Sequence, residues 1–209
     1  KSPKPRSSSP TFEQISAIVA ATDAAGDAGF ALGVLTQWHL SLRAMDVRGD
    51  FFEGVGGITR GSTGWGKGLT WAMIDRDITT LSKTPTKTED KLPDEIVWDL
   101  TMVPDVRQRL LDVPSDKRVG PVIVDSRGMP FDRFSYSKLW RKHRTTAGVP
   151  EDILMMDTRA GAANDAEEKG ATAIEINKQL NHASLETTKR YIRRKSDGVN
   201  NVLRLRSQK

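Results

Sequence analysis

Apolar residues at Phe12, Ile15, Ile18 and Val19 recur at helical spacing behind Thr11, a residue suited to cap a helix, so a first helix is predicted from there. The pattern resumes through Phe30, Leu32, Leu35, Trp38, Leu40 and Leu42, and its width predicts a buried second helix ending near Arg43. Residues 49–68 hold eight of the seventeen glycines, which predicts an irregular loop rather than a helix or strand interior. Three short β-branched or aromatic stretches follow, GLTWAMID, DITTLSKT and LPDEIVWDL, and predict a small antiparallel sheet. Beyond it the pattern gives a helix at Val103 to Leu111, a short apolar run PVIVDS and a basic helix in RFSYSKLWRKHRTTAG. Three more helical stretches follow, TRAGAANDAEEKG, ATAIEINKQLN and SLETTKRYIRRK. No repeat is present. The expected fold is one mainly α domain with a small antiparallel β-sheet, of the α+β class.

Composition narrows the classes open to such a fold. With 209 residues, 37% hydrophobic and 28% charged, the chain matches an ordinary globular protein, and wholesale disorder is excluded. It has no cysteine, which removes disulfides, thiolate metal sites and cysteine nucleophiles and fits a reducing compartment. No apolar run approaches the roughly 20 residues that cross a bilayer, and no signal peptide is recognisable, so a cytoplasmic protein with no membrane partner is expected. The net charge of +5 is unevenly spread. Residues 189–209 carry eight basic residues and one acid, and KSPKPRSSSP at the start adds three more cations. The body between these tails is net negative. Two positive ends suggest a polyanionic partner. The first ten residues read as a linker or artificial boundary, not a natural start.

Two familiar chemistries find no support. Gly61-Ser-Thr-Gly-Trp-Gly66-Lys67 has the spacing of a phosphate-cradling loop, but Gly68 stands where a hydroxyl must hold Mg²⁺, and a strand pattern follows where a helix should start. His39, His143 and His182 lack metal-binding spacing, so a zinc site is not indicated.

The C-terminal third is more specific. In Leu180-Asn-His182-Ala-Ser-Leu-Glu-Thr-Thr-Lys-Arg-Tyr191 a histidine sits in a turn, Ser184 can cap the next helix, and a tyrosine follows the histidine by nine residues. This segment resembles the tyrosine recombinase (phage integrase) family, whose ending is Leu-Gly-His-Ser-Ser, Thr-Thr and then Tyr, with Asn181 here in place of Gly. The family's second box, His-x-x-Arg, is matched by Met156-Asp-Thr-Arg159, with Met156 where the histidine belongs. Its first box, an Arg at a helix end with an acid three residues on, is matched by Arg43 and Asp46. A β-turn lysine is expected between the boxes, and Lys87 in Thr86-Lys87-Thr88 is preferred over Lys83 and Lys91. The resemblance spans about residues 12–195 and implies a catalytic domain over 11–195. A basic tail, 196–209, would dock on a neighbouring subunit.

Cleaving a phosphodiester needs a nucleophile, cations for charge growing on the nonbridging oxygens, and a proton donor for the leaving alkoxide. The resemblance assigns these roles to Tyr191, to Arg43 and Arg159 with His182, and to Lys87. The bond energy would be kept in a 3′-phosphotyrosine, so no cofactor, metal or ATP is called for. Met156 is the departure that matters, because a thioether donates no hydrogen bond. Losing one such donor typically costs about 10² to 10³ in rate. Either the site is slow, or Asp157 or another residue enters it, or the chain is a degenerate integrase that binds DNA without catalysis.

A separate DNA contact is predicted on the basic helix, where Arg133, Lys138, Arg141, Lys142 and Arg144 crowd one segment with Leu139 and Trp140 as anchors. The expected partners are duplex DNA, an upstream core-binding domain and three further copies in a tetramer on the recombination site. A topoisomerase of related type and a scaffold without a nucleic-acid role are the other readings.

Overall fold

The first helix, α1 (Phe12–Ala24), is fixed at its start by a reciprocal pair of bonds: the Thr11 hydroxyl accepts from the Gln14 N–H and the Gln14 side chain accepts from the Thr11 N–H. In the computed structural model, which describes residues 8–88, 90, 95–182 and 184–189, α1 packs along α2 (Ala28–His39). Every residue of α2 from Phe30 to Trp38 is buried, as the width of its apolar pattern predicts. The helix ends earlier than predicted, however. Leu40 caps it, Ser41 turns the backbone into the left-handed region at φ 51°, and Arg43 begins the short helix α3 (Ala44–Arg48). Leu40 and Leu42 prolong the apolar period because both are buried in that turn, not because the helix continues.

The glycine-rich stretch is a correction to the sequence reading: it forms a three-stranded antiparallel sheet of β1 (Asp50–Glu53), β2 (Thr59–Arg60) and β3 (Thr63–Gly66), in the order β1-β3-β2. Phe51 pairs with Trp65 and Phe52 with Gly64. Most of the glycines make turns rather than strand interiors, with Gly54, Gly57 and Gly61 at positive φ. Gly64 sits inside β3 because a Cβ there would lie 1.9 Å from the Val55 carbonyl oxygen.

The second sheet has two strands, β4 (Thr80–Lys83) and β5 (Ile96–Asp99), paired antiparallel from Thr80 opposite Asp99 to Lys83 opposite Ile96. The first of the three predicted strands is instead a 3-10 turn, Trp71–Met73, with single bridges at Thr70 and Ile74. Entry into β4 is set by Asp75, whose carboxylate accepts from the Thr79 and Thr80 N–H groups and the Thr79 hydroxyl. The Thr80 N–H is the main cause holding its pKa down, to about 2.

Helix α4 (Pro104–Leu111) begins on a proline at its first turn, where no N–H is needed. Helix α5 (Arg133–Thr146) starts on a capping pair between Asp132 and Ser135 and buries Tyr136 and Trp140 in the core. Tyr136 meets Phe30 edge-on at 4.6 Å, and its hydroxyl donates to Gln37 Oε1 of α2 at 3.2 Å. Helix α6 (Thr158–Glu168) approaches α2 through Ala160, Gly161, Ala162 and Ala163, where a Cβ on Gly161 would lie 2.8 Å from the Trp38 ring. Helices α7 (Ala173–Gln179) and α8 (Leu185–Lys189) complete the described fold around Ile176 and Leu180. The described residues are thus mainly helical with two small antiparallel sheets.

One close approach is directly testable. A Cβ on Gly29 of α2 would fall 1.8 Å from the Val124 carbonyl oxygen, so the helix and the 121–124 segment must separate to admit it. Gly29→Ala improves helix propensity by about 1 kcal/mol yet is expected to destabilise the protein by about 1–3 kcal/mol net. Urea denaturation reads this, and an unchanged or raised midpoint would contradict the packing.

Candidate functional site

Three turns bring the site together. The α2–α3 turn carries Ser41 and Arg43, the chain after β4 carries Lys87 in a 3-10 turn (Thr86–Thr88), and the turn after α7 carries Asn181 and His182. Arg159, at the start of α6, joins two of them. Its guanidinium is buried and donates to the Ser41 carbonyl at 2.5 Å and to the Leu180 carbonyl. Both carbonyls adjoin a non-glycine residue in the left-handed region, Ser41 itself at φ 51° and Asn181 at φ 45°. The small residues that follow Arg159 let α6 come near enough for this reach.

Asp46 ties the lysine turn to the arginine turn. The carboxylate is 1% exposed, its Oδ1 accepts the Thr86 N–H at 2.7 Å, and its Oδ2 lies 3.9 Å from Arg43 Nη1. Arg43 Nη1 is buried and has no hydrogen-bond partner among the described residues. Such a donor is costly in an apolar setting and suits an anion.

His182 sits where these cations meet. Burial first, then the charges of Arg159, Arg43 and Lys87, lower its pKa to about 4, so the ring is neutral near pH 7. Its Nδ1 lies 2.9 Å from the Thr188 hydroxyl. Four of the residues singled out in the sequence, Arg43, Lys87, Arg159 and His182, therefore converge, with Asp46 as their brace. Tyr191 and the tail 196–209 lie outside the described residues, as does the alternative lysine Lys91. Lys83 is 4% exposed and donates to the Lys67 carbonyl at 2.9 Å. Met156 is 69% exposed in the 3-10 turn Met155–Asp157, while Asp157 is buried and accepts the Leu154 N–H at 2.9 Å.

The basic helix divides. Arg133, Lys138 and Arg141 are exposed and line a groove with Phe134, over whose ring the Arg133 guanidinium lies at 4.8 Å. Lys142 is exposed but lies 3.3 Å from Asp27. Arg144 is a correction: it is 5% exposed and donates inward to the carbonyls of Glu151 at 2.6 Å and Ile153 at 3.3 Å, so it braces the chain beyond α5 and does not face solvent. Sequence reasoning missed the carbonyls that hold Arg159 and the side chains around His182, because neither follows from spacing. Among the described residues no group of three His, Asp or Glu converges as a metal site.

No family model matches the sequence, and no curated protein matches it. Solved structures do match its fold. All of this chain superposes on 68% of the XerA recombinase, with 14% identity and a TM-score of 0.63. Against a lambda integrase (75–356) dimer bound to a COC′ core site, 91% of this chain covers 60% of that one, with 15% identity and a TM-score of 0.66. Against the lambda integrase catalytic core the figures are 84% and 95%, with 13% identity and a TM-score of 0.60. The chain therefore has the fold of tyrosine recombinase catalytic domains.

The buried histidine gives a pH test. Because the folded pKa of about 4 lies below the ordinary 6.5, the unfolded chain binds the proton more readily and stability falls as the pH drops from about 6.5 through about 4. The His182 ring resonances are expected to titrate near 4, and His182→Gln should flatten the stability profile in that window. A midpoint near 6.5 would show that His182 is not held among these cations.

Proposed function

We propose that this chain is the catalytic domain of a site-specific tyrosine recombinase or integrase, cleaving and rejoining duplex DNA through a 3′-phosphotyrosine. The observation that carries this reading is the convergence of Arg43, Arg159 and Lys87 on a neutral His182, with a buried arginine donor unspent. A phosphodiester is the anion such a set suits: Arg43 and Arg159 bind nonbridging oxygens through forked, permanently charged groups, and His182 adds a hydrogen bond. Tyr191 then gives its phenolic proton to solvent and attacks phosphorus, the P–O5′ bond breaks, and Lys87 gives its proton to the leaving oxygen. Religation runs the same steps in reverse, with the 5′ hydroxyl displacing the tyrosine.

The exposed face of α5 would supply contacts away from the chemistry, through Arg133, Lys138 and Arg141 on phosphates. The compared XerA recombinase and lambda integrase (75–356) chains extend beyond the matched region, which fits an upstream core-binding domain. One compared structure is of a lambda integrase tetramer bound to a Holliday junction, and a tetramer on DNA is the assembly we assign here. Such an enzyme would work in the cytoplasm, and the tail 196–209 would join neighbouring subunits. One observation favours a second reading: Met156 supplies no proton or donor, and a non-catalytic DNA-binding relative would tolerate it.

A nicked duplex suicide substrate separates the two. The parent protein is expected to form a covalent adduct, Tyr191→Phe none, and Met156→His to form it faster by up to about 10² to 10³. Salt-dependent binding without adduct in the parent and in Met156→His would establish the non-catalytic reading, and no binding at all would remove both. On either DNA reading, neutralising Arg133, Lys138 or Arg141 singly should weaken binding regardless of sequence and reduce the slope of log affinity against log salt by about 1 each. Arg144→Gln should act on stability instead.

A further inference from the structure

The hydrogen bonds behind His182 determine which ring nitrogen carries its proton. The Asn177 amide nitrogen lies 3.2 Å from the Ser184 carbonyl, which can only accept, and 2.8 Å from the Thr188 hydroxyl oxygen. Asn177 therefore donates to Thr188. A hydroxyl has one proton of its own to give, and Thr188 is wholly buried, so that proton needs an acceptor. Among the described residues the acceptor within reach is His182 Nδ1, at 2.9 Å. The chain Asn177 to Thr188 to Nδ1 has one consistent direction.

We propose that Thr188 is a positioning residue for His182: held by the Asn177 amide, its hydroxyl donates to Nδ1 and fixes the ring proton on Nε2, the edge that then donates to a phosphate oxygen. The last step rests on the recombinase reading above, while the tautomer does not. The neutral ring that burial, with the nearby cations, imposes is what makes a tautomer choice necessary, since an imidazolium would carry protons on both nitrogens. Without the hydroxyl, an Nδ1–H form would turn a lone pair, not a donor, toward a negatively charged oxygen. The reach is set locally: the His182 N–H also donates to the Asn177 carbonyl at 3.2 Å, so the backbone and the side chain of Asn177 grip the same turn.

Long-range proton–nitrogen NMR of the full chain, free of DNA at pH 7, reads the tautomer directly. His182 signals are assigned by their loss in His182→Gln, which separates them from His39 and His143. The parent is expected to show His182 protonated on Nε2 and bare on Nδ1. Thr188→Val should lose that preference and Thr188→Ser restore it, with Asn177→Ala as a milder variant of intermediate effect. A parent ring protonated on Nδ1 would overturn the proposal whether or not any variant folds, and so would an unchanged tautomer in a folded Thr188→Val. In the adduct assay, Thr188→Val should be slower by about 10- to 100-fold and Thr188→Ser near the parent. An unslowed Val variant would sink the functional half alone, and a parent and Met156→His that both form no adduct would sink the recombinase reading while leaving the tautomer standing.

Discussion

Gathering like charges in one place is the constraint on which the structure turns. The charges of Arg43, Arg159 and Lys87 all act on one imidazole, and each would repel the others unless the protein supplied compensating partial charge. A carboxylate beside each cation would stabilise the free protein but would also cancel the field that an anion needs. Arg43 keeps a carboxylate, Asp46, at 3.9 Å, whereas Arg159 is met by backbone dipoles. Arg159 is held by the Ser41 and Leu180 carbonyls, and the same device recurs away from the site, with Lys83 on Lys67 and Arg144 on Glu151 and Ile153. Carbonyl oxygens satisfy the donors while leaving the formal charge in place. Asp46 joins two of these turns, and one of its oxygens is spent on the Thr86 N–H.

That solution requires carbonyls that point inward at the ends of two helices, and both ends turn through left-handed residues. Asn181 shows how closely sequence follows this need. Where the resembling family has Gly, this chain has Asn, and the backbone there stands at φ 45°, a region that Gly enters freely and Asn more readily than other residues. The replacement keeps the geometry that aims Leu180 at Arg159. Ser41 does the same work at the other end with no signature in the sequence, because serine at positive φ is held there by its surroundings and not by preference.

Much of the fold was legible because burial and periodicity coincide in α1, α2, α5 and α6. Where they part, the reading slipped. Leu42 is buried in a turn, so Arg43 looked like a helix end when it is a helix start, although its pairing with Asp46 three residues on was readable from the spacing. The glycines of residues 49–68 masked a sheet because glycine there serves turns and close approach while Phe51, Phe52 and Trp65 make the pairing. Arg144 looked like one of five surface cations because charge along a helix does not say which face it lies on, and only the path of the chain after α5 places carbonyls beside it. The lysine turn was legible by its Thr-Lys-Thr pattern, whereas the Asp46 bond that fixes it links residues forty apart.

The two positions that the sequence resemblance pairs with histidines, His182 and Met156, fare differently for a physical reason. His182 is 7% exposed and neutral through burial, whereas Met156 is 69% exposed. A histidine at the exposed position would feel little desolvation and would titrate near its ordinary value, adding a charge that comes and goes around neutrality. With Met156 there instead, the imidazole left at the centre of the cation cluster is one whose proton uptake is displaced well below neutrality. The electrostatic character of the site near pH 7 is then set by fixed cations and by the direction of one buried hydrogen-bond chain, Asn177 to Thr188 to His182. A site of this kind depends more on the geometry of its neutral donor than on a titrating one, and the exposed Met156 thioether adds no titrating group to it.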